Sequence, residues 1–172
     1  EPVGQMRPEK TFWRGTTLTS KPSETVQRAV DTQPERVRAT LRIYHPELNP
    51  EQITDLLEIS PSVSWRKGDD AYGWTKKPGK KAPSGGWLLS SRQKVKSNNA
   101  IAHLDWLMDQ LSGSGTVLKQ LQDQGFMVDV VVGWHATSWN TTPALTPDIM
   151  RRLANQRLPI WFDVYLYDDE DI

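Results

Sequence analysis

The sequence predicts an α+β fold: a mixed sheet of about five strands in ferredoxin-like order, with an appended helix and strand and the helices mainly on one face. Three observations carry that expectation. Phe126 to Trp134 reads Phe-Met-Val-Asp-Val-Val-Val-Gly-Trp, a β-branched run too apolar to stay uncovered, and so an interior strand. Ala39, Leu41 and Ile43 alternate with Arg38, Thr40, Arg42 and Tyr44, the two-residue period of a half-buried strand. Ile53, Leu56 and Leu57, then Ile101, Leu104, Leu107, Met108 and Leu111, recur at the spacing of amphipathic helices.

In chain order, residues 1–35 carry Pro2, Pro8, Pro22 and Pro34 among polar groups and read as a flexible tail, leaving residues 36–168 as one α+β domain. The first strand starts near Val37. Asn49 then stands where a helix cap belongs, with Pro50 and Glu51 in the first turn, and Pro61 follows the helix. Val63 to Lys67 alternates as a short strand. Residues 68–86, rich in Gly, Pro and Lys, show no regular period and read as a long loop before the strand Trp87 to Ser90. Ser97 or Asn98 is placed to cap the next helix, which Gly113 and Gly115 divide from a shorter one around Val117, Leu118 and Leu121. After the central strand and a loop over 137–144, Thr146-Pro147-Asp148 opens a last helix. Ile160 to Tyr167 is the closing strand, and residues 169–172 form an acidic tail. Leu48-Asn49-Pro50-Glu51 and Leu145-Thr146-Pro147-Asp148 hint at a repeated strand-helix-strand unit.

Composition excludes several classes. In 172 residues, 21 basic and 21 acidic side chains balance, so no global field draws the molecule to nucleic acid or an anionic surface. Cysteine is absent, which removes thiolate nucleophiles and thiolate metal sites and suits a reducing cytoplasm. No run approaches the roughly 20 apolar residues of a spanning helix, so no membrane association is expected. His45, His103 and His135 lack ligand spacing, and no metal or cofactor is expected. His103 reads as a helix residue bordering the core. Ser112-Gly113-Ser114-Gly115 lacks the lysine of a phosphate loop, and Ser138 lacks the glycines of a nucleophile elbow.

Parity assigns the open face of the sheet. Ile160, Phe162, Val164 and Leu166 are expected beneath the helices, which turns Trp161, Asp163, Tyr165 and Tyr167 outward. Asp129 points the same way, and the first strand adds Arg42 and Tyr44. If the first strand lies beside the central one, Arg42 pairs with Asp129 across the ladder. Trp65, Trp87 and Trp106 are expected in the core, whereas Trp74, Trp134 and Trp139 belong in or beside loops at one end of the sheet, where contact residues gather.

The residues also resemble a family. Arg42-Ile43-Tyr44, Leu48 to Thr54 with Leu56-Leu57, Pro61, Trp65, Lys67-Gly68-Asp69, Trp87 to Ser90, His103 to Leu107, and the last strand with Asp163 and Tyr165 are similar to the mostly bacterial domain of unknown function 4279. The likeness covers residues 37 to about 168. It implies a small bacterial single-domain protein with no catalytic residues to carry over.

The leading expectation is therefore a non-enzymatic cytoplasmic module that binds a protein partner, of the immunity or inhibitor kind, as a monomer or weak homodimer. Its contact residues would be Arg42, Tyr44, Trp74, Asp129, Trp134, Trp139, Trp161, Asp163 and Tyr165. A second class of function is a small-ligand or hydrolytic site using Asp129, Asp163 and Arg42. A third is single-stranded nucleic-acid binding through Trp74 and Lys76, Lys77, Lys80 and Lys81, against which the two sheet acids argue.

Overall fold

The computed structural model describes residues 36–72, 75–76, 79–136 and 143–166. Trp74, Trp139, Lys77, Tyr167 and both predicted tails lie outside the described residues. The elements follow in order: β1 (Arg36–His45), α1 (Pro50–Leu57), β2 (Val63–Trp65), β3 (Ala71–Tyr72), β4 (Thr75–Lys76) and β5 (Gly85–Ser90). Then come α2 (Ala100–Gln110), α3 (Gly115–Asp123), β6 (Met127–Ala136), α4 (Pro147–Asn155) and β7 (Ile160–Leu166). Five strands form one mixed sheet in the order β2-β5-β1-β6-β7, and β3 pairs with β4 in a small hairpin. That hairpin corrects the expectation of a structureless segment over residues 68–86.

β1 is the middle strand. Leu41 lies opposite Leu89 of β5 on one side and Val130 of β6 on the other, both pairings antiparallel. Its alternation is real: Ala39, Leu41 and Ile43 are fully buried on one face, where they meet Val128, Val130 and Val132 of β6. All four helices among the described residues add to this core, through Ile53 and Leu57, Leu104 and Leu107, Leu118 and Leu121, and Ile149 and Leu153. Only β6 and β7 run parallel, joined through α4.

Local sequence explains the helix ends. Asn49 Oδ1 accepts from the Glu51 N–H, and Thr146 Oγ1 accepts from the Ile149 N–H, each just before a proline in the first turn. The two cap motifs nevertheless sit in different units. β6 and β7 are adjacent, whereas β5 lies between β1 and β2. The α2 cap is Asn99, whose Oδ1 accepts from Ile101 N–H at 2.9 Å, one residue beyond the predicted pair. Gly125, at φ +86°, turns the chain from α3 into β6.

One tryptophan departs from expectation. Trp134 is only 6 % exposed, inside β6 on the helix side, because the strand continues past it to Ala136. It is a core residue, not a loop contact. Trp65 is buried, as expected, and packs with Leu88, Ala82, Val63 and Tyr44 in a second core cluster on the other side of the sheet. Strand pairing places Trp65 opposite Gly86, and its indole N–H donates to the Ser84 carbonyl at 3.0 Å. A Cβ at Gly86 would meet the Trp65 ring at 2.2 Å, so glycine is required for the ring to lie flat on the sheet. Trp87 is fully buried in the main core, and Trp106 packs partly buried at its margin.

Gly86→Ala is expected to displace that ring and lower stability by about 1–3 kcal/mol. Urea denaturation followed by tryptophan fluorescence checks it, and an unchanged midpoint would contradict the packing described.

Candidate functional site

The face of the sheet turned away from the helices carries the predicted polar set. Arg42 lies opposite Asp129 in the β1–β6 ladder. The guanidinium grips both carboxylate oxygens, with Nε donating to Oδ1 at 2.7 Å and Nη2 to Oδ2 at 2.8 Å. The Asp129 side chain is 6 % exposed and that of Arg42 26 %. Hydrogen bonding to Asp129 outweighs burial and raises the Arg42 pKa further above its usual value. The neighbouring Thr40 hydroxyl donates to Ser90 Oγ at 3.0 Å, which continues a polar row into β5.

Tyr44 sits on the same face, tilted at 51° to Trp65 with centroids 6.0 Å apart. It closes the β2–β5 side of the face with the second cluster, so aromatic packing and not solvent occupies that half. Burial pushes its phenol above the ordinary value, partly offset by Arg42.

The other half is different. In β7, Trp161 stands beside Val131, Asp163 beside Gly133 and Tyr165 beside His135. Tyr165 stacks on His135 at 4.6 Å and 13°. Trp161 is 58 % and Tyr165 43 % exposed. Among the described residues, Asp163 has no ion pair. The parity assignment therefore places Trp161, Asp163 and Tyr165 on the outer face, as expected.

The inner face of β7 is less covered than expected. Phe162, Val164 and Leu166 lie beside the core residues Val132, Trp134 and Ala136, yet they are 38 %, 49 % and 41 % exposed. Parity was right and cover was not. β7 is an edge strand, with its main contacts to β6, while α2 and α3 pack over β1 and β6.

The carboxylate pair fails as an acid–base unit. Asp163 is level with Gly133, so Asp129 stands four residues away along the neighbouring strand, about 13 Å between backbone positions. Paired glycosidase carboxylates stand at roughly 5–9.5 Å. Asp129 also has both oxygens engaged by Arg42 and its side chain is only 6 % exposed, which favours the ionised, ion-paired form over a proton-transferring one. In the described part of the basic loop, Lys81 Nζ is paired with Asp70 Oδ1 at 2.6 Å.

His103 is buried in α2, and its two ring nitrogens reach Ser97 O and Ser91 Oγ, each at 2.7 Å. Since a carbonyl only accepts, Nε2 carries the proton toward Ser97. Ser91 in turn accepts from the Ala39 N–H at 2.9 Å. His103 thus fastens the segment after β5 to the edge of β1. Beside that fastening Arg36, Arg38, Arg92 and Lys96 line a cleft that the sequence reading missed. The Arg-x-Arg of β1 was visible, but its meeting with residues 92–96 depends on where β5 stops.

Arg42→Met is expected to cost about 2–3 kcal/mol, because it leaves the buried Asp129 carboxylate unpaired, and Arg42→Met with Asp129→Leu to recover most of it. Equal losses in the single and double variants, by chemical denaturation, would refute that. Tyr44 gives a pH signature. Its raised folded pKa means that its contribution is complete below about pH 10 and declines above it, as the unfolded chain ionises first. Tyr44→Phe should flatten the fall of stability with rising pH, read from denaturation midpoints.

A comparison with curated proteins and one with solved structures each returned no match. The family model described as Domain of unknown function (DUF4279) matches residues 35–167, from the start of β1 past the end of β7, and the chain belongs to that family.

Proposed function

We propose that this protein is a non-enzymatic protein-binding module of the immunity or inhibitor kind, working in a bacterial cytoplasm. The observation that carries the reading is the outer face of β7, where Trp161 and Tyr165 stand exposed on either side of Asp163. Aromatic side chains flanking a charged group are the groups that dominate protein contacts, since they bury much area at low entropic cost while the charge sets orientation. Asp163 gives the patch a preference for a partner bearing a cation at that point. Among the described residues the contact set narrows to Trp161, Asp163 and Tyr165, because Trp134 is in the core and Arg42, Tyr44 and Asp129 are committed to the sheet. No helix among the described residues is long and apolar enough to cross a membrane. The cysteine-free composition suits a reducing compartment.

Co-expression with the product of the adjacent gene tests the reading. The two proteins are expected to co-purify, and Trp161→Ala with Tyr165→Ala to release the partner while shifting stability by no more than about 1 kcal/mol. Retention of the partner by that double variant would exclude this face.

A further inference from the structure

β1 is longer than its neighbour on one side. It pairs with β6 from Arg36 to Tyr44 but with β5 only from Thr40 to His45, and the chain leaves β5 at Ser91. Ala39 closes the ladder by exchanging backbone and side-chain bonds with Ser91. By the two-residue alternation of a strand, the N–H and C=O of Val37 point to the same edge, past the end of β5. A cleft of about 400 Å³ opens there, between the start of β1 and residues 92–98.

Its described lining is one-signed. Arg36, Arg38, Arg92 and Lys96 contribute four cations, and no carboxylate is among the described lining residues. None of the four has an ion pair among the described residues, although the chain has as many acids as bases. Arg38 is held in place: its side chain lies over Gly133, where an added Cβ would come within 3.2 Å of its Nε. Ser97 and Asn98, just before α2, supply neutral polar groups and bring the positive end of an eleven-residue helix toward the cleft. Val37, Val95 and the His135 ring add apolar surface.

Four like charges around one cavity repel each other unless an anion sits among them. We infer that this cleft is a binding site for a small molecule carrying a phosphomonoester or diphosphate group, such as a nucleoside diphosphate. Arg38 and Arg92 grip the phosphate oxygens in bidentate fashion, Arg36 and Lys96 add charge from the rim, and the apolar surfaces receive the rest of the molecule. The volume suits a compact ligand. An extended nucleic-acid backbone is disfavoured, because leaving the cleft across Gly133 brings it onto the acid at Asp163.

Titration calorimetry of the whole chain with pyrophosphate, inorganic phosphate and ADP at matched ionic strength tests the site. Saturable one-to-one binding is expected for pyrophosphate and ADP. Arg92→Gln, at an exposed position, should weaken it by about tenfold or more, and Arg38→Gln likewise. Trp161→Ala should leave it unchanged, which separates this site from the proposed protein contact. Three results would each overturn the inference: no saturable binding of any probe, undiminished binding in both arginine variants, or binding confined to an RNA oligonucleotide.

Discussion

The Arg42–Asp129 fork is the constraint on which the rest of the sheet hangs. It joins the two longest strands at one position, with two charge-assisted bonds whose geometry tolerates no slip. Side chains alternate, so a shift of one residue between β1 and β6 would turn Leu41 and Ile43 to the outer face and leave the Asp129 carboxylate buried without its guanidinium. Hydrophobic burial alone favours the native register, and the ion pair penalises its nearest competitor. Once β1 and β6 are locked, β7 inherits its phase from β6, and Trp161, Asp163 and Tyr165 can only face outward.

Much of this was legible where a local rule decides. The alternation in β1, the apolar run of β6 and the two Asn/Thr-Pro-acid caps are local signals, and each formed where expected. The opposition of Arg42 and Asp129, 87 residues apart, followed from strand order plus parity. Errors arose where cover depends on the edge of the sheet. Phe162 and Val164 have the alternation of an inner face, but alternation does not reveal whether a helix lies above a given strand. Trp65 was expected in the core from its place in a strand with apolar neighbours, and it is buried, but which of two core clusters it joins was not visible from that. Gly86 was the available clue, because a glycine opposite a tryptophan in a strand pair marks a ring lying across the backbone.

The cationic cleft shows a different limit. Its charges are ordinary in sequence: two arginines on a polar strand face, and two more basic groups in a polar connection. What makes them a site is a length mismatch, since β5 stops at Ser90 while β1 pairs with β6 back to Arg36. The connection must then cross the uncovered edge of β1, and the buried His103, bonded to Ser91 and Ser97, fixes the path it takes. A core histidine with a structural role thereby sets the spacing of surface charges that it does not touch.

Two residues of β6 join the cleft to the aromatic strand. Gly133 lies between Arg38 and Asp163 in the cross-strand row, and its missing side chain is what lets the Arg38 stem lie against the sheet. A Cβ there would crowd the Arg38 Cγ, Nε and Cζ at 3.2–3.3 Å and displace that side chain by a few tenths of an ångström. His135 lines the cleft and stacks against Tyr165. A ligand that pressed on that ring would alter the support beneath Tyr165, so the two surfaces meet in one side chain.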